Sequence, residues 1–181
     1  MKLKVNVLVY TILLTLFLGH PAYAQGPYNH SIGGVIGNLN GASFKMFFSD
    51  KVALQADFGF KFGNSYRYKY TYGYNYYTLS QMIFFTSLEL NPNVLYQGDI
   101  TQWDFANFYW FAGGGASIGC ALNPTAFKFG LNAMGGVELT FRDMPLTVQA
   151  DLRPGIGFVT RKGADPFFDY AFTLSARYVI D

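Results

Sequence analysis

The chain has 181 residues, enough for one domain, and a single cysteine, Cys120, which excludes an internal disulfide and a multi-cysteine metal site. Aromatic residues make up 19% of it and charged residues only 13%, against ~25% charged in ordinary water-soluble domains. Taking Lys2 and Lys4 away with the N-terminal segment leaves 11 of the 13 basic residues against 11 acidic ones, a balance that gives no basic bias toward nucleic acid.

The N-terminal segment reads as a secretory signal. Lys2 and Lys4 are followed by a largely apolar run from Val5 to Leu18, then by Gly19, His20 and Pro21, then by Ala22-Tyr23-Ala24. That order is a basic start, an apolar core and a small-residue cleavage site. The core is shorter than the ~20 residues of a spanning helix. The residue directly after the site is Gln25 rather than a cysteine, so a lipid anchor is not expected. The sequence predicts a signal peptide over 1–24 and one β-barrel domain over 25–181, with His30 the one histidine left in it.

Beyond the signal, alternation of apolar and polar residues is the dominant pattern, and it is the period of a strand. Ser31 to Gly37 is a short, glycine-rich candidate. Around 42–48, Ala42, Phe44, Met46 and Phe48 oppose Ser43, Lys45 and Phe47. In 52–63, Val52, Leu54, Ala56, Phe58, Phe60 and Phe62 oppose Ala53, Gln55, Asp57, Gly59, Lys61 and Gly63. In 82–96, Met82, Phe84, Leu88, Leu90, Val94 and Tyr96 oppose Ser87, Glu89, Asn91 and Asn93. Asn107 to Cys120 is apolar on one side and rich in glycine and serine on the other, although Tyr109 and Phe111 blur it. In 127–142, Phe127, Phe129, Leu131, Ala133, Val137, Leu139 and Phe141 oppose Lys128, Asn132, Glu138, Thr140 and Arg142. In 146–158, Leu146, Val148, Ala150, Leu152, Ile156 and Phe158 oppose Thr147, Gln149, Asp151 and Arg153. In 168–180, Phe168, Tyr170, Phe172, Leu174, Ala176, Tyr178 and Ile180 oppose Asp169, Thr173, Ser175 and Arg177.

Eight strands near ~10 residues each suit a transmembrane barrel. Tight links at 49–51 and 142–145 alternate with longer polar links at 64–79, 121–126 and 160–166. The 97–106 link reads as long for its side, and 38–40 as short for the other. An all-β, eight-stranded, antiparallel up-and-down barrel is expected, with both termini on the tight-turn side, the periplasm.

Alternation does not say which face is inside; volume and charge do. An eight-stranded barrel has an interior just wide enough to be filled by side chains. The apolar face carries too many Phe, Tyr and Leu side chains for that lumen. The other face holds every charge on the assigned strands: Lys45, Asp57, Lys61, Glu89, Lys128, Glu138, Arg142, Asp151, Arg153, Asp169 and Arg177. A Lys or Arg facing lipid at the midplane costs ~2–4 kcal/mol. The apolar face is therefore expected to meet lipid, with six cations and five anions forming a paired interior network.

The stretches GASFKMFFSDKVALQADFGF (41–60) and GVELTFRDMPLTVQADLRPGIGF (136–158) resemble the first tight hairpin and the penultimate hairpin of the small OmpA-transmembrane-like outer-membrane β-barrel proteins, those of the Bacteroidota type above all. The resemblance covers most of the chain after the signal. It implies the bacterial outer membrane, contact with outer-membrane lipid and lipopolysaccharide, and insertion by the barrel-assembly machinery. The chain departs from the pattern at its last residues, Tyr178-Val179-Ile180-Asp181, where such barrels often end on an aromatic.

Functional signals are sparse. Tyr66, Tyr68, Tyr70, Tyr72, Tyr74 and Tyr76 fall at strict even spacing and continue the apolar parity of Phe58 to Phe62. They read as an aromatic girdle leading into an extended hairpin, or as a tyrosine platform. With Arg67 and Lys69 the platform is a candidate surface for anionic lipopolysaccharide, a glycan or a protein partner. His30 beside Ser31 is the one pair from which a lipid-modifying hydrolase could be built, yet strand neighbours point to opposite faces. Gly113-Gly114-Gly115 lacks the lysine and the strand-to-helix setting of a phosphate-binding loop and reads as strand curvature. No catalytic, cofactor-binding or metal residues are expected. The leading reading is a barrel with a plugged polar interior and a structural or surface-interaction role. A lipid-modifying barrel enzyme is the alternative, and a soluble periplasmic ligand-binding barrel a weaker one.

Overall fold

The computed structural model describes residues 26–72, 77–122, 125–161 and 164–180. The expected signal peptide lies outside the described residues. Eight strands follow one another: β1 (His30–Gly37), β2 (Leu39–Phe47), β3 (Val52–Tyr72), β4 (Tyr77–Gln102), β5 (Ala106–Leu122), β6 (Thr125–Phe141), β7 (Leu146–Val159) and β8 (Phe167–Ile180). Each pairs antiparallel with the next, and β8 pairs with β1, so the sheet closes on itself as a barrel. Among the described residues there is no helix.

Pleating sends alternate residues to opposite faces, and the ring turns those faces into an inside and an outside. The polar set faces in: Lys45, Gln55, Asp57, Glu138 and Arg177 are all buried. The apolar set faces out, with Phe84 74% exposed and Leu131 70% exposed. Register aligns the outer side chains into rows. Ala42 lies opposite Phe58, Phe58 opposite Leu90, Leu90 opposite Ile118, Ile118 opposite Phe129, and Phe129 opposite Phe158. The Phe129 and Phe158 rings stack 5.0 Å apart, one of the cross-strand pairs that stabilise a sheet locally.

The connections are tighter than the sequence suggests. The expected 97–106 link is mostly strand, because β4 runs on to Gln102 through a bulge at Asp99/Thr101. The turn itself is Trp103-Asp104-Phe105, closed by the Trp103 amide donating to the Ala106 carbonyl at 2.8 Å. The bulge explains the misreading, since an extra residue breaks the period of two without ending the strand. The 121–126 link likewise contracts, with Leu122 already opposite Thr125. The three tight turns, residues 48–51, 103–105 and 142–145, share one end of the barrel with Gly26 and Ile180.

A second bulge, between Lys61 and Asn64, has a larger effect. Gly63 takes φ +82°, a left-handed conformation open to glycine, and one residue of β3 is left unmatched against β4. Lys61 faces in before it and Asn64 faces in after it. The phase of β3 is thus inverted from position 64 onward. Tyr66, Tyr68, Tyr70 and Tyr72 then lie opposite Ile83, Gln81, Leu79 and Tyr77, in the phase of the inward-facing Phe85 and Ser87. The expected lipid-facing parity of the tyrosine run concerns side chains that lie outside those described.

The glycine triplet belongs to the wall of the barrel. A Cβ on Gly113 would sit 2.0 Å from the Val94 carbonyl oxygen, and one on Gly115 would sit 1.9 Å from that of Pro92. Both lie on the inward phase of β5, where the neighbouring strand comes too close for any side chain.

Candidate functional site

The barrel lumen is filled by three groups of charged side chains, one above another. Nearest the tight-turn end, Glu138 on β6 stands between two cations from across the lumen. Lys45 Nζ on β2 donates to its Oε2 at 2.9 Å, and Arg177 Nη2 on β8 donates to the same oxygen at 2.6 Å. Its other oxygen accepts from the Tyr28 hydroxyl at 3.1 Å and from Gln97 Nε2 at 3.3 Å. Lys45 also donates to Gln97 Oε1 at 2.6 Å, with its ammonium 5.1 Å from the centre of the Phe111 ring. A dry carboxylate holds its charge only with such partners, and Glu138 has four.

The middle group is built around Arg153 on β7. Its Nη1 lies 2.7 Å from Asp57 Oδ2 on β3, and its Nε donates to Asp151 Oδ1 at 2.6 Å. Gln55 donates to Asp57 at 3.0 Å, and Thr173 to Asp151 at 2.9 Å. Gln149 couples the first two groups, accepting from Arg177 at 2.6 Å and donating to Asp151 at 2.8 Å. The third group lies toward the opposite end. Lys61 pairs with Asp169, Lys128 pairs with Glu89, and Lys128 also reaches Asp169 Oδ2 at 2.8 Å.

Apolar side chains close the lumen beyond both outer groups. Phe85, Ala121, Val159 and Phe167 form one stopper, with the Phe85 and Phe167 rings edge to face at 5.6 Å. Tyr28, Phe47 and Ala53 form the other, with Tyr28 edge-on to Phe47 at 5.0 Å. The segment before β1 is therefore part of the barrel core. Leu95, Phe111 and Met134 cluster between strands β4, β5 and β6. That is why Tyr109 and Phe111 blur the alternation of β5: both face inward.

Ten of the eleven charges assigned to the interior by sequence do lie there. Lys45, Asp57, Lys61, Glu89, Lys128, Glu138, Asp151, Arg153, Asp169 and Arg177 are at most 5% exposed. Arg142 is not among them. It has the inward parity, but β6 ends at Phe141, and Arg142 turns out at the rim to donate to Asn107 Oδ1 at 2.8 Å and to Gln102 Oε1 at 3.4 Å. Its departure leaves five cations facing five anions.

Of the candidate surface residues, Arg67 is exposed, and its carbonyl accepts from the Asp165 amide at 3.0 Å. Only the backbone of Tyr66, Tyr68, Lys69, Tyr70 and Tyr72 is described, while Tyr74 and Tyr76 lie outside the described residues. His30 is exposed and rests 6.3 Å from the Phe44 ring, whereas Ser31 is sealed in the interior. The wall of the barrel separates the two side chains. Among the described residues, no group of three His, Cys, Asp or Glu could hold a metal ion. Tyr28, Gln97 and Gln149 complete the network without having been singled out by sequence. Gln149 carried the inward parity, while Tyr28 precedes the first strand and Gln97 lies past the regular alternation.

Neither a protein-family model, nor a curated protein, nor a solved structure matches the chain.

Proposed function

We propose that this chain is a bacterial outer-membrane β-barrel of the small OmpA-transmembrane-like kind. In this reading it is exported with loss of its signal peptide, inserted by the barrel-assembly machinery, and active in envelope structure or surface contact. The observation that carries the proposal is the separation of the two faces. Large apolar side chains such as Phe58, Phe84, Leu131, Leu152, Phe168 and Phe172 stand exposed all around the ring, while the ten charges of the lumen network are buried within it. Water-soluble domains rarely expose an apolar patch beyond a few hundred Å². A hydrocarbon surround accounts for such a belt, and a closed ring leaves no backbone edge unsatisfied within it. Strands β7 and β8, of 14 residues each, exceed the ~10 that a tilted strand needs to cross.

The paired charges and the two apolar stoppers make the interior a plug and argue against solute passage. They also argue against a soluble ligand-binding barrel, whose ligand would need that volume. The β3–β4 hairpin, which carries Arg67 and Lys69, is the natural point of contact for lipopolysaccharide, glycans or a protein partner.

Membrane fractionation with a gel of unboiled and boiled samples tests the proposal. Recovery in the outer membrane with a mobility that shifts on heating is the expected result. Recovery as soluble periplasmic protein would overturn it.

A further inference from the structure

Between the middle and the far charge groups lies a cavity of about 10 Å³, lined among others by Asn91, Ser117, Asn132, Arg153, Lys61 and Asp169. A single water needs roughly that much room and two to four polar partners. The lining supplies them. Asn91, 95% buried, has its Nδ2 without any hydrogen-bond acceptor. Asn132 gives its Nδ2 to Asn93 Oδ1 at 2.6 Å, which fixes the amide and leaves its buried Oδ1 without a donor. Arg153 Nη1 sits 2.7 Å from Asp57, and its second proton is left to give.

The wall beside the cavity is interrupted on two sides. The β4–β5 pairing skips from Leu90↔Ile118 to Asn93↔Gly115, and the β6–β7 pairing skips from Asn132↔Gly155 to Gly135↔Leu152. Each gap contains a proline, Pro92 or Pro154, with no N–H to offer its neighbour. Register is unchanged across both gaps, so these are missing rungs rather than bulges. Asn91 and Ser117 come from the first gap, Arg153 from the second, and Asn132 stands at its edge. An unpaired donor and an unpaired acceptor this deep are each desolvated without return unless something joins them.

We propose that this cavity is a binding site for one ordered water molecule. The water accepts a hydrogen bond from Asn91 Nδ2 and donates one to Asn132 Oδ1, and it ties the Arg153 group to the Lys61–Asp169 group. The lumen then holds one polar network from end to end, with Gln149 making the corresponding link lower down. The inference concerns the lumen alone and stands whether or not the outer face meets lipid.

A crystal structure of the mature protein tests it, paired with water-to-amide Overhauser transfer in detergent micelles. Expected is one density peak within hydrogen-bond reach of both amides, with transfer from water to the Asn91 side-chain protons. In Asn132→Leu, both the peak and the transfer should be lost. An empty cavity in the unaltered protein, or a peak that bonds to neither amide, would overturn the proposal whatever the variant does. Anomalous signal at the site after a bromide soak would overturn it in favour of an anion.

Discussion

Glu138 receives hydrogen bonds from four side chains that come from the N-terminal segment, β2, β4 and β8. Glu138→Ala would leave Lys45 and Arg177 buried without their shared carboxylate, and breaking a buried pair in this way costs about 3–5 kcal/mol. A fall in the urea concentration needed to abolish the heat-shifted band would register that loss. Glu138→Gln keeps an acceptor and should lose less. Tyr28 offers a gentler test. Burial, with the Glu138 carboxylate beside it, holds its hydroxyl protonated well above the ordinary tyrosine range. The folded form therefore keeps this proton where the unfolded chain gives it up. The bond's contribution is complete below about pH 10, the ordinary tyrosine value, and is lost as the pH climbs beyond it. Tyr28→Phe should cost about 1.5 kcal/mol at neutral pH, and the gap to the unaltered protein should close in alkali. Urea titrations at the two pH values would read both numbers, and a gap that widens in alkali would contradict the account.

At the scale of the element, the strands are legible because one face of each is apolar and points outward while the other lines a crowded polar lumen. Residues 52–62 announce this without ambiguity. What stayed hidden follows from single-residue insertions and from ends. Phe62-Gly63-Asn64 reads as unbroken alternation, so the bulge that brings both Lys61 and Asn64 inward leaves no trace in composition. Arg142 shows the same limit at a terminus. Parity sent it inward, but a strand that stops one residue earlier releases a long side chain to the rim. Tyr28 had no periodicity around it to reveal an inward role. In the interior network, the ion pairs could be anticipated as a set of charges, while their partners depend on which strands stand across the lumen. Glycines inside strands can be tested directly. Gly115→Ala would push a methyl group into the Pro92 carbonyl on the adjacent strand. Overpacking of that kind costs about 1–3 kcal/mol, to be seen as a lower midpoint of unfolding in detergent.

For the molecule as a whole, the decisive question is what surrounds it. Leu131 lies near the middle of β6 and is 70% exposed. If hydrocarbon covers it, Leu131→Arg should cost ~2–4 kcal/mol and depress the yield of folded protein in lipid vesicles. Phe48→Arg, in the turn after β2, should be tolerated. If water covers the outer face instead, both substitutions should be silent or improve solubility, and the outer-membrane proposal would fail.

The pairing of β1 with β8 carries one more implication, and it concerns time. Seven of the eight strand pairs join neighbours along the chain, but the eighth joins His30 to Ile180, from opposite ends of it. Contacts between distant segments form slowly, because a long stretch of chain must lose its freedom before they give anything back. Until that seam is sewn, β1 and β8 each present a bare margin of backbone donors and acceptors, the template on which strands of other molecules aggregate. A form of the molecule that lacks this one seam therefore bares two margins at once, and closing it removes both.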